Sequence, residues 1–183
     1  MIIALAGRRI DAPDAKAIRF PLTNVEKVKE ELTKFFISSR PGALVCSGAC
    51  GADLLALLVA GDLRIQRKIV LPFEAARFRS TSVTDRPGDW GILFDEISEK
   101  VNEEGGLIIL NYPVDDKDAY EKTNTEILNL AENLAKQFNS KKDITEVIVW
   151  EGGPKEKNDV TNHFMKEGLK RGFAIKEIKT LNY

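Results

Sequence analysis

The sequence is poor in the residues on which metal centres and disulfide scaffolds depend. Its 183 residues include two cysteines and a single histidine, His163. One histidine excludes a multi-histidine metal centre, and two thiols are too few for a disulfide framework or a complete zinc site. Cys46 and Cys50 flank a predicted turn. We therefore expect them to be ordinary reduced thiols that line a buried loop.

Long apolar runs and an excess of charge of either sign are also missing. No apolar run approaches the roughly 20 residues that span a bilayer. The first strand-like stretch leads into Gly7-Arg8-Arg9 without the small-residue cleavage site of a secretory signal. Lys and Arg number 27 against 28 Asp and Glu, so the chain lacks the broad attraction for nucleic acids or membranes that polybasic proteins have. We expect a cytoplasmic protein without a membrane partner, in which any affinity for phosphate is local.

The rest of the composition indicates a globular α/β protein. Apolar residues make up 43% of the chain and charged residues 30%, which suits a single domain over residues 1–183. Short continuous apolar runs alternate with longer amphipathic segments, a pattern typical of a parallel sheet that is buried on both faces. We predict a Rossmann-like three-layer α/β/α fold with a mainly parallel sheet of about six strands. The predicted strands are 2–6, 43–46, 68–72, 107–111, 146–150 and 174–178.

Amphipathic spacing places helices between these strands. The first begins near residue 25, where Thr23 and Glu26 form a predicted capping box behind Pro21. The second, at 52–63, is apolar nearly all round, which indicates a central position. Further helices are predicted at 90–103, 123–138 and 159–171.

Two connections, 10–22 and 73–89, are longer than the 2–6 residues that α/β units usually need. The second carries Arg77, Arg79 and Arg86 among hydroxyl residues that include Ser82. This density of cations and hydroxyls favours a lid or binding loop that contacts an anion. A solvated surface excursion is the alternative.

The strongest local signal is a turn of small residues between the second predicted strand and its helix. It reads Cys46-Ser47-Gly48-Ala49-Cys50-Gly51-Ala52-Asp53. Gly48 and Gly51 permit positive φ and close approach of a ligand, while unpaired N–H groups at the helix start attract an anion. We predict a phosphate-binding turn, with a turn selected for packing alone as the alternative. Asp53 either caps the helix or accepts ribose hydroxyls.

Three further segments end at the same predicted edge of the sheet. Gly7, Arg8 and Arg9 end the first strand, and we favour Arg9 over Arg8 as a phosphate ligand. The third predicted strand ends at Pro72, which stops it. Phe73 is then predicted to stack on a base, and Glu74 to be an acid/base or hydroxyl acceptor. Phe78 either contacts the ligand or anchors its loop.

The last of these segments is Trp150-Glu151-Gly152-Gly153-Pro154, which ends the fifth strand. Gly152 offers backbone groups to a ligand, and Glu151 is a second candidate acid/base. In the next helix, Asp159 either caps the N-terminus or contacts the ligand, and Thr161 could face the ligand from the first turn.

In this order, the four segments resemble the SLOG superfamily of Rossmann-like proteins. That superfamily includes the bacterial DNA-processing protein A, the cytokinin-activating LOG enzymes and the ligand-sensing domains of TRPM channels. The resemblance covers most of the chain and implies a nucleotide or nucleotide-sugar pocket at the carboxyl edge of the sheet, with no required cofactor. The matching residues are Ala6-Gly7-Arg8-Arg9, Ser47 to Asp53, Leu71-Pro72-Phe73, Arg77-Phe78-Arg79, Ser82-Val83 and Asp159-x-Thr161-x-x-Phe164.

The resemblance does not imply catalysis. LOG enzymes carry a Pro-Gly-Gly-x-Gly-Thr-x-x-Glu motif, and residues 152–154 are only a scrambled version of it. The leading hypothesis is therefore a module that binds or senses a phosphate-bearing, nucleotide-derived ligand. The rival is a nucleotide N-glycosidase or phosphoribohydrolase, with Glu74 or Glu151 as acid/base and Arg79 on the phosphate. DNA handling is disfavoured because no basic stripe is present, and a homodimer is compatible with the resemblance although the sequence identifies no interface.

Overall fold

The computed structural model describes residues 1–137, 143–155 and 159–181. These residues form six strands and six α-helices. The strands are β1 (Ile2–Gly7), β2 (Ala43–Cys46), β3 (Gln66–Leu71), β4 (Leu107–Ile109), β5 (Ile144–Trp150) and β6 (Ala174–Lys179). The helices are α1 (Val25–Ser39), α2 (Ala52–Asp62), α3 (Ala75–Ser82), α4 (Trp90–Glu103), α5 (Ala119–Gln137) and α6 (Val160–Lys170).

All strand pairs are parallel, and the strand order is β4-β3-β2-β1-β5-β6. The chain moves outward from β1 to β4 and then returns to the other side of β1, where β5 pairs along the whole of that strand. The order therefore reverses between β1 and β5. In open α/β sheets, ligands bind outside the carboxyl ends of the strands at such a switch point.

Each face of the sheet has its own apolar core. On one face, Ile3 and Leu5 of β1 pack with α1, α2 and α4. On the other face, Ile2 and Ala4 pack with α5 and α6. Alternate residues of one strand are thus buried in opposite layers, as expected for a central parallel strand. The predicted Rossmann-like three-layer fold with six strands is confirmed.

The start of α1 differs from the prediction. A 3₁₀ turn at Leu22–Asn24 precedes the helix, so Asn24 and not Thr23 is the N-cap residue, and no side chain caps it. The Asn24 amide nitrogen Nδ2 donates instead to the carbonyl oxygen of Thr180, at 2.9 Å. The predicted capping box is wrong because the extra turn shifts the helix start, and a long-range contact engages the amide.

The connection 73–89 is not a continuous loop, because α3 occupies eight of its residues. The hydroxyls of Ser80 and Thr81 donate to the carbonyl oxygen of Arg77, at 2.9 and 3.0 Å, so they contact their own helix. The other helices lie close to their predicted positions, although α5 begins earlier, at Ala119, and the predicted end at Phe138 lies outside the described residues. Within the described ranges, no helix combines the length and apolarity of a membrane span.

Candidate functional site

A cavity of about 790 Å³ opens at the carboxyl end of β1, next to the segments that follow β2 and β5. We call it the switch-point cavity. Five parts of the chain line it: residues between Leu5 and Arg19, the turn before α2, the second half of α3 with Arg86, the first half of α5, and Lys155 with Asp159 to Thr161. Small-molecule sites commonly have volumes of about 300–1,000 Å³.

The fold brings many of the predicted site residues to this cavity. Its lining includes Gly7, Arg8, Arg9, Ser47, Ala49, Asp53, Phe78, Ser82, Asp159 and Thr161. Other predicted residues are not part of the lining, namely Gly48, Cys50, Gly51, Pro72, Phe73, Glu74, Arg77, Arg79, Glu151 and Gly152.

Two glycines shape the turn before α2 for steric reasons. Gly51 has φ of 92°, and a Cβ atom there would lie 2.8 Å from the carbonyl oxygen of Arg8. Gly7 lets β1 pass close to Ala52, whose Cβ atom would collide with any side chain at position 7. Gly48 is not in the positive-φ region, contrary to the prediction, and its Cα faces the ring of Phe94 instead of the cavity.

Several backbone amides of this turn already have acceptors within the protein. The N–H of Cys50 donates to the carbonyl oxygen of Ser82, at 3.1 Å, and the N–H of Ala52 donates to that of Arg8, at 3.1 Å. The N–H of Leu54 donates to the carbonyl oxygen of Ala49, at 3.3 Å. Groups that were predicted to bind phosphate are therefore engaged in closing the turn and joining it to β1 and α3.

Asp53 is 7% exposed and lines the cavity. One carboxylate oxygen, Oδ2, accepts the N–H of Ala49 at 3.2 Å. Burial raises the pKa of Asp53 to about 7, although the Ala49 hydrogen bond and the Arg9 charge both favour the ionised form. This carboxyl group therefore changes its protonation state near neutral pH.

Arg8 is a structural cation at the junction of β1, β5 and α6. It is 3% exposed and donates from Nε to Glu151 at 2.6 Å and from Nη1 to Asp159 at 2.6 Å. Its Nη2 atom donates to the carbonyl oxygen of Gly153, at 2.9 Å. Burial alone would raise the pKa of Asp159, but hydrogen bonds from Arg8 and from backbone amides lower it to about 2. Asp159 is also the N-cap of α6, as the capping alternative predicts, and accepts the N–H groups of Thr161 and Asn162.

Arg9 points to the opposite side of the cavity. Its Nη1 atom donates to the carboxylate of Asp85 at 2.9 Å and to the carbonyl oxygen of Thr81 at 3.2 Å. Among the described residues, its Nε and Nη2 atoms have no hydrogen-bond partner, which leaves donors for a ligand. The favoured choice of Arg9 over Arg8 is compatible with this geometry.

Neither of the two predicted acid/base residues, Glu74 and Glu151, is part of the cavity lining. Glu74 is exposed and stands outside the cavity, before α3. Glu151 accepts hydrogen bonds from Arg8 and Arg19. Although burial alone would raise the pKa of Glu151, these hydrogen bonds lower it, so the group stays ionised and paired. Neither glutamate is therefore placed to protonate a ligand in the cavity.

The aromatic and arginine residues predicted to contact a ligand around α3 mostly contact other parts of the protein. The guanidinium of Arg77 lies 4.1 Å from the ring centroid of Phe73 and donates to the carbonyl oxygen of Val114, at 2.8 Å. Arg79 pairs with Asp95 on the outer surface, at 2.8 Å. Phe78 is 1% exposed and contributes to the cavity wall. The arginines of α3 therefore hold protein groups instead of facing the cavity.

One polar face of α5 was missed by the sequence analysis. Tyr120, Thr123 and Asn124 line the cavity. The hydroxyls of Tyr120 and Ser82 lie 2.9 Å apart, and Asn124 Nδ2 donates to the carbonyl oxygen of Val160 at 3.0 Å. Spacings of three and four residues put these side chains on one helical face, together with the apolar Ile127. Polar side chains on the same helical face as a buried apolar residue are the sequence signal from which these cavity residues could have been predicted.

The connection 10–22 forms another wall that was not predicted. Asp11 Oδ2 accepts the backbone N–H groups of Arg19 and Phe20, at 2.9 and 3.0 Å, and so closes this segment on itself. The closed segment brings Lys16 and Arg19 to the cavity. Lys155 contributes a further basic side chain from the segment after β5.

The lining is richer in basic than in acidic side chains. Six basic residues line the cavity: Arg8, Arg9, Lys16, Arg19, Arg86 and Lys155. The acidic residues of the lining are three: Asp11, Asp53 and Asp159. Glu151 and Asp85, which lie outside the lining, pair with Arg8 and Arg19 and with Arg9, so they offset part of this charge. In a chain with a net charge of −1, the remaining excess of basic side chains is a local property of this cavity.

Thiols and metal ligands add no further chemistry to the described part of the chain. Cys46 and Cys50 are both free and buried, as predicted. Burial raises the pKa of the Cys50 thiol to about 11, so it is protonated at neutral pH. No group of three or more metal-binding side chains occurs within residues 1–137, 143–155 and 159–181.

Neither a protein-family model nor a curated protein matches the chain. Among solved structures, the chain is similar to UDP-GlcNAc 2-epimerase from Methanocaldococcus jannaschii, at 16% identity over 87% of this chain and 56% of that chain, with a TM-score of 0.34. It is also similar to UDP-GlcNAc 2-epimerase from Neisseria meningitidis bound to UDP-GlcNAc, at 14% identity, 87% and 54% coverage, and a TM-score of 0.32. The chain spans just over half the length of these two proteins. At these TM-scores the similarity carries no argument about function.

Proposed function

We propose that this chain binds or senses a phosphate-bearing, nucleotide-type ligand in the switch-point cavity. The observation that carries the proposal is the local excess of basic side chains in a cavity of about 790 Å³, in a chain without net positive charge. A site of this size and charge suits a small organic anion.

The position of the cavity supports the same ligand class. It lies at the carboxyl end of β1, the strand at which the order reverses, and helices α2 and α6 begin beside it. Aromatic and amide side chains of α5 stand at the same cavity as the cations. A ligand with an anionic part and a flat or polar organic part matches this distribution.

Calorimetry and thermal shift with nucleoside mono- and diphosphates, ADP-ribose and nucleotide sugars test the proposal. A ligand present at 100 times its Kd stabilises the fold by about 2.7 kcal/mol. We expect at least one nucleotide to raise the Tm and its affinity to fall as ionic strength rises. Failure of every compound to bind would refute the proposal.

A matched pair of arginines sharpens this test. Arg9 lines the cavity, whereas Arg79 pairs with Asp95 outside it, and each guanidinium holds an aspartate at the protein surface. Arg9→Gln should weaken nucleotide binding about tenfold or more, while Arg79→Gln should leave the affinity unchanged. Equal losses in the two variants would place the ligand elsewhere.

A nucleotide N-glycosidase is the second candidate function, and one observation favours it. Asp53 faces the cavity with a pKa of about 7, a value suited to general acid–base catalysis near neutral pH. Incubation with each bound nucleotide, followed by chromatography for free base, separates the two candidates. Base release that Asp53→Asn abolishes and Glu74→Gln preserves would establish the enzyme.

A further inference from the structure

We infer that Asp53 accepts a hydrogen bond from sugar hydroxyls of the ligand, while the phosphate is bound by basic side chains of the cavity lining and not by the backbone of the turn before α2. This inference rests on the proposed function and assigns an orientation to the ligand. The neutral sugar of the ligand then lies at the turn before α2, although the glycines of that turn predict a phosphate there.

The first argument concerns the donors of that turn. The N–H groups of Cys50, Ala52 and Leu54 donate to carbonyl oxygens, and the N–H of Ala49 donates to Asp53 itself. A phosphate bound by these four N–H groups would have to displace the bonds that join the turn to β1 and α3. An anion-binding helix start depends on unengaged N–H groups.

The second argument concerns the carboxyl group of Asp53. Its side chain is more than nine-tenths buried yet forms part of the cavity wall. Oδ2 accepts the Ala49 N–H, whereas Oδ1 has no hydrogen-bond donor among the described residues and is open to the cavity. A carboxylate oxygen that faces a cavity without a protein donor is placed to accept a hydrogen bond from a ligand.

The third argument concerns the choice of donor. An ionised carboxylate repels a phosphate at close range, whereas a ribose hydroxyl is neutral and donates readily. Besides Arg9, which faces Asp53, side-chain donors for the phosphate line the cavity at Arg86 and Lys155. A ligand that bridges these two regions places its sugar at Asp53 and its phosphate at the cations.

The protonation of Asp53 gives this contact a measurable signature. The groups that face Asp53 are the guanidinium of Arg9, from the segment after β1, and the thiol of Cys46, at the end of β2. The other charged or titratable groups that line the cavity are Arg8, Asp11, Lys16, Arg19, Arg86, Tyr120, Lys155 and Asp159. Burial raises the pKa of Asp53 to about 7, so the carboxylate form increases from pH 6 to pH 8. Hydrogen bonds to a carboxylate are stronger than those to a neutral acid.

The experiment compares the four common ribonucleoside 5′-monophosphates with their 2′,3′-dideoxy counterparts, by calorimetry on the full chain at pH 6 and pH 8. The phosphate is the same in each pair, so its own ionisation cancels in the affinity ratio. We expect the ribonucleotide to bind about tenfold more tightly than its dideoxy counterpart at pH 8, and less selectively at pH 6. Asp53→Asn should remove the pH dependence, and Asp62→Asn, at the exposed far end of α2, should preserve it.

The outcomes separate this inference from the proposed function. Equal binding of ribo and dideoxy forms at both pH values overturns the inference and leaves nucleotide binding intact. A preference that persists in Asp53→Asn also overturns it, because another residue must then hold the hydroxyls. Absence of binding by all eight nucleotides overturns the inference, whereas the proposed function falls only if the nucleoside diphosphates, ADP-ribose and nucleotide sugars also fail to bind. If Asp53→Asn does not fold, the pH series on the unmodified chain decides alone.

Discussion

The carboxyl group of Glu146 occupies the space that a side chain at position 168 would fill. A Cβ atom on Gly168 would lie 2.5 Å from the Cδ atom of Glu146 and closer still to Oε2. Glu146 has no exposed surface, and neither carboxyl oxygen has a hydrogen-bond partner among the described residues. Burial raises its pKa to about 8, against the opposing charge of Arg171. A buried acid thus stands between β5 and α6, on the side of the sheet that holds α5 and α6.

Glu146→Gln should make the protein's stability less dependent on pH. An unfolded glutamate ionises near pH 4.5, whereas Glu146 in the folded protein ionises near pH 8. Between these values the folded state binds more protons, so the free energy of unfolding decreases as pH rises. We expect the stability of the variant relative to the unmodified protein to increase by about 3 kcal/mol from pH 5 to pH 8. Urea unfolding at both pH values measures this, and parallel curves would contradict it.

Gly168→Ala should destabilise the fold because of this same contact. The added methyl group collides with the Glu146 carboxyl, and such overpacking typically costs about 1–3 kcal/mol. Glu146→Ala removes the obstruction, so the penalty of Gly168→Ala should shrink in that background. A double-mutant cycle by urea unfolding gives the coupling energy, and additive penalties would show that the two side chains do not compete for space.

Arg8→Met should lower the free energy of unfolding by about 3–5 kcal/mol at pH 7, because it leaves Glu151 and Asp159 partly buried without their cation. Asp159 has its folded pKa lowered to about 2, so its contribution is present above pH 4 and disappears as pH falls toward 2. The penalty of Arg8→Met should therefore diminish at pH 3. Replacing both carboxylates by their amides should recover part of the loss, and no recovery would argue against charge as the cause.

Gly51→Ala and Gly48→Ala should differ in their effects on stability. At position 51, φ is 92° and a Cβ atom would press on the backbone of Arg8 and Ile10, which should cost at least about 2 kcal/mol. At position 48, a Cβ atom would meet only the Phe94 ring, at 3.4 Å, so we expect a change below about 1 kcal/mol. Chemical unfolding of both variants tests this, and equal penalties would contradict the distinction.

The strands could be predicted because a sheet covered on both faces requires continuous apolar runs. The residues after β1 and β5 could be assigned to one edge for a related reason, since parallel strands end on the same side. Helix α3 could not be predicted from the sequence, because its arginines and hydroxyl residues form only a weak amphipathic pattern. Tertiary contacts hold it, including Phe78 against Phe94 and Arg79 with Asp95.

Within the site, the sequence predicts which residues lie at the edge of the sheet better than it predicts which side chains they contact. The sequence places Arg8 and Arg9 side by side, but only the folded chain shows that Arg8 is enclosed by Glu151 and Asp159. These partners are 143 and 151 residues away, beyond the reach of any local pattern. Asp53 likewise has a raised pKa only because the surrounding helices and strands exclude water from it.

The central position of β1 imposes an order of assembly during translation. One edge of β1 can pair with β2 early, but its other edge stays open until residues 144–150 have left the ribosome. At about 5–20 residues per second, that delay is on the order of ten seconds, during which the nascent chain exposes an unpaired strand edge. A fragment that stops before β5 would therefore leave one edge of β1 unpaired and lack Lys155, Asp159, Val160 and Thr161 of the switch-point cavity.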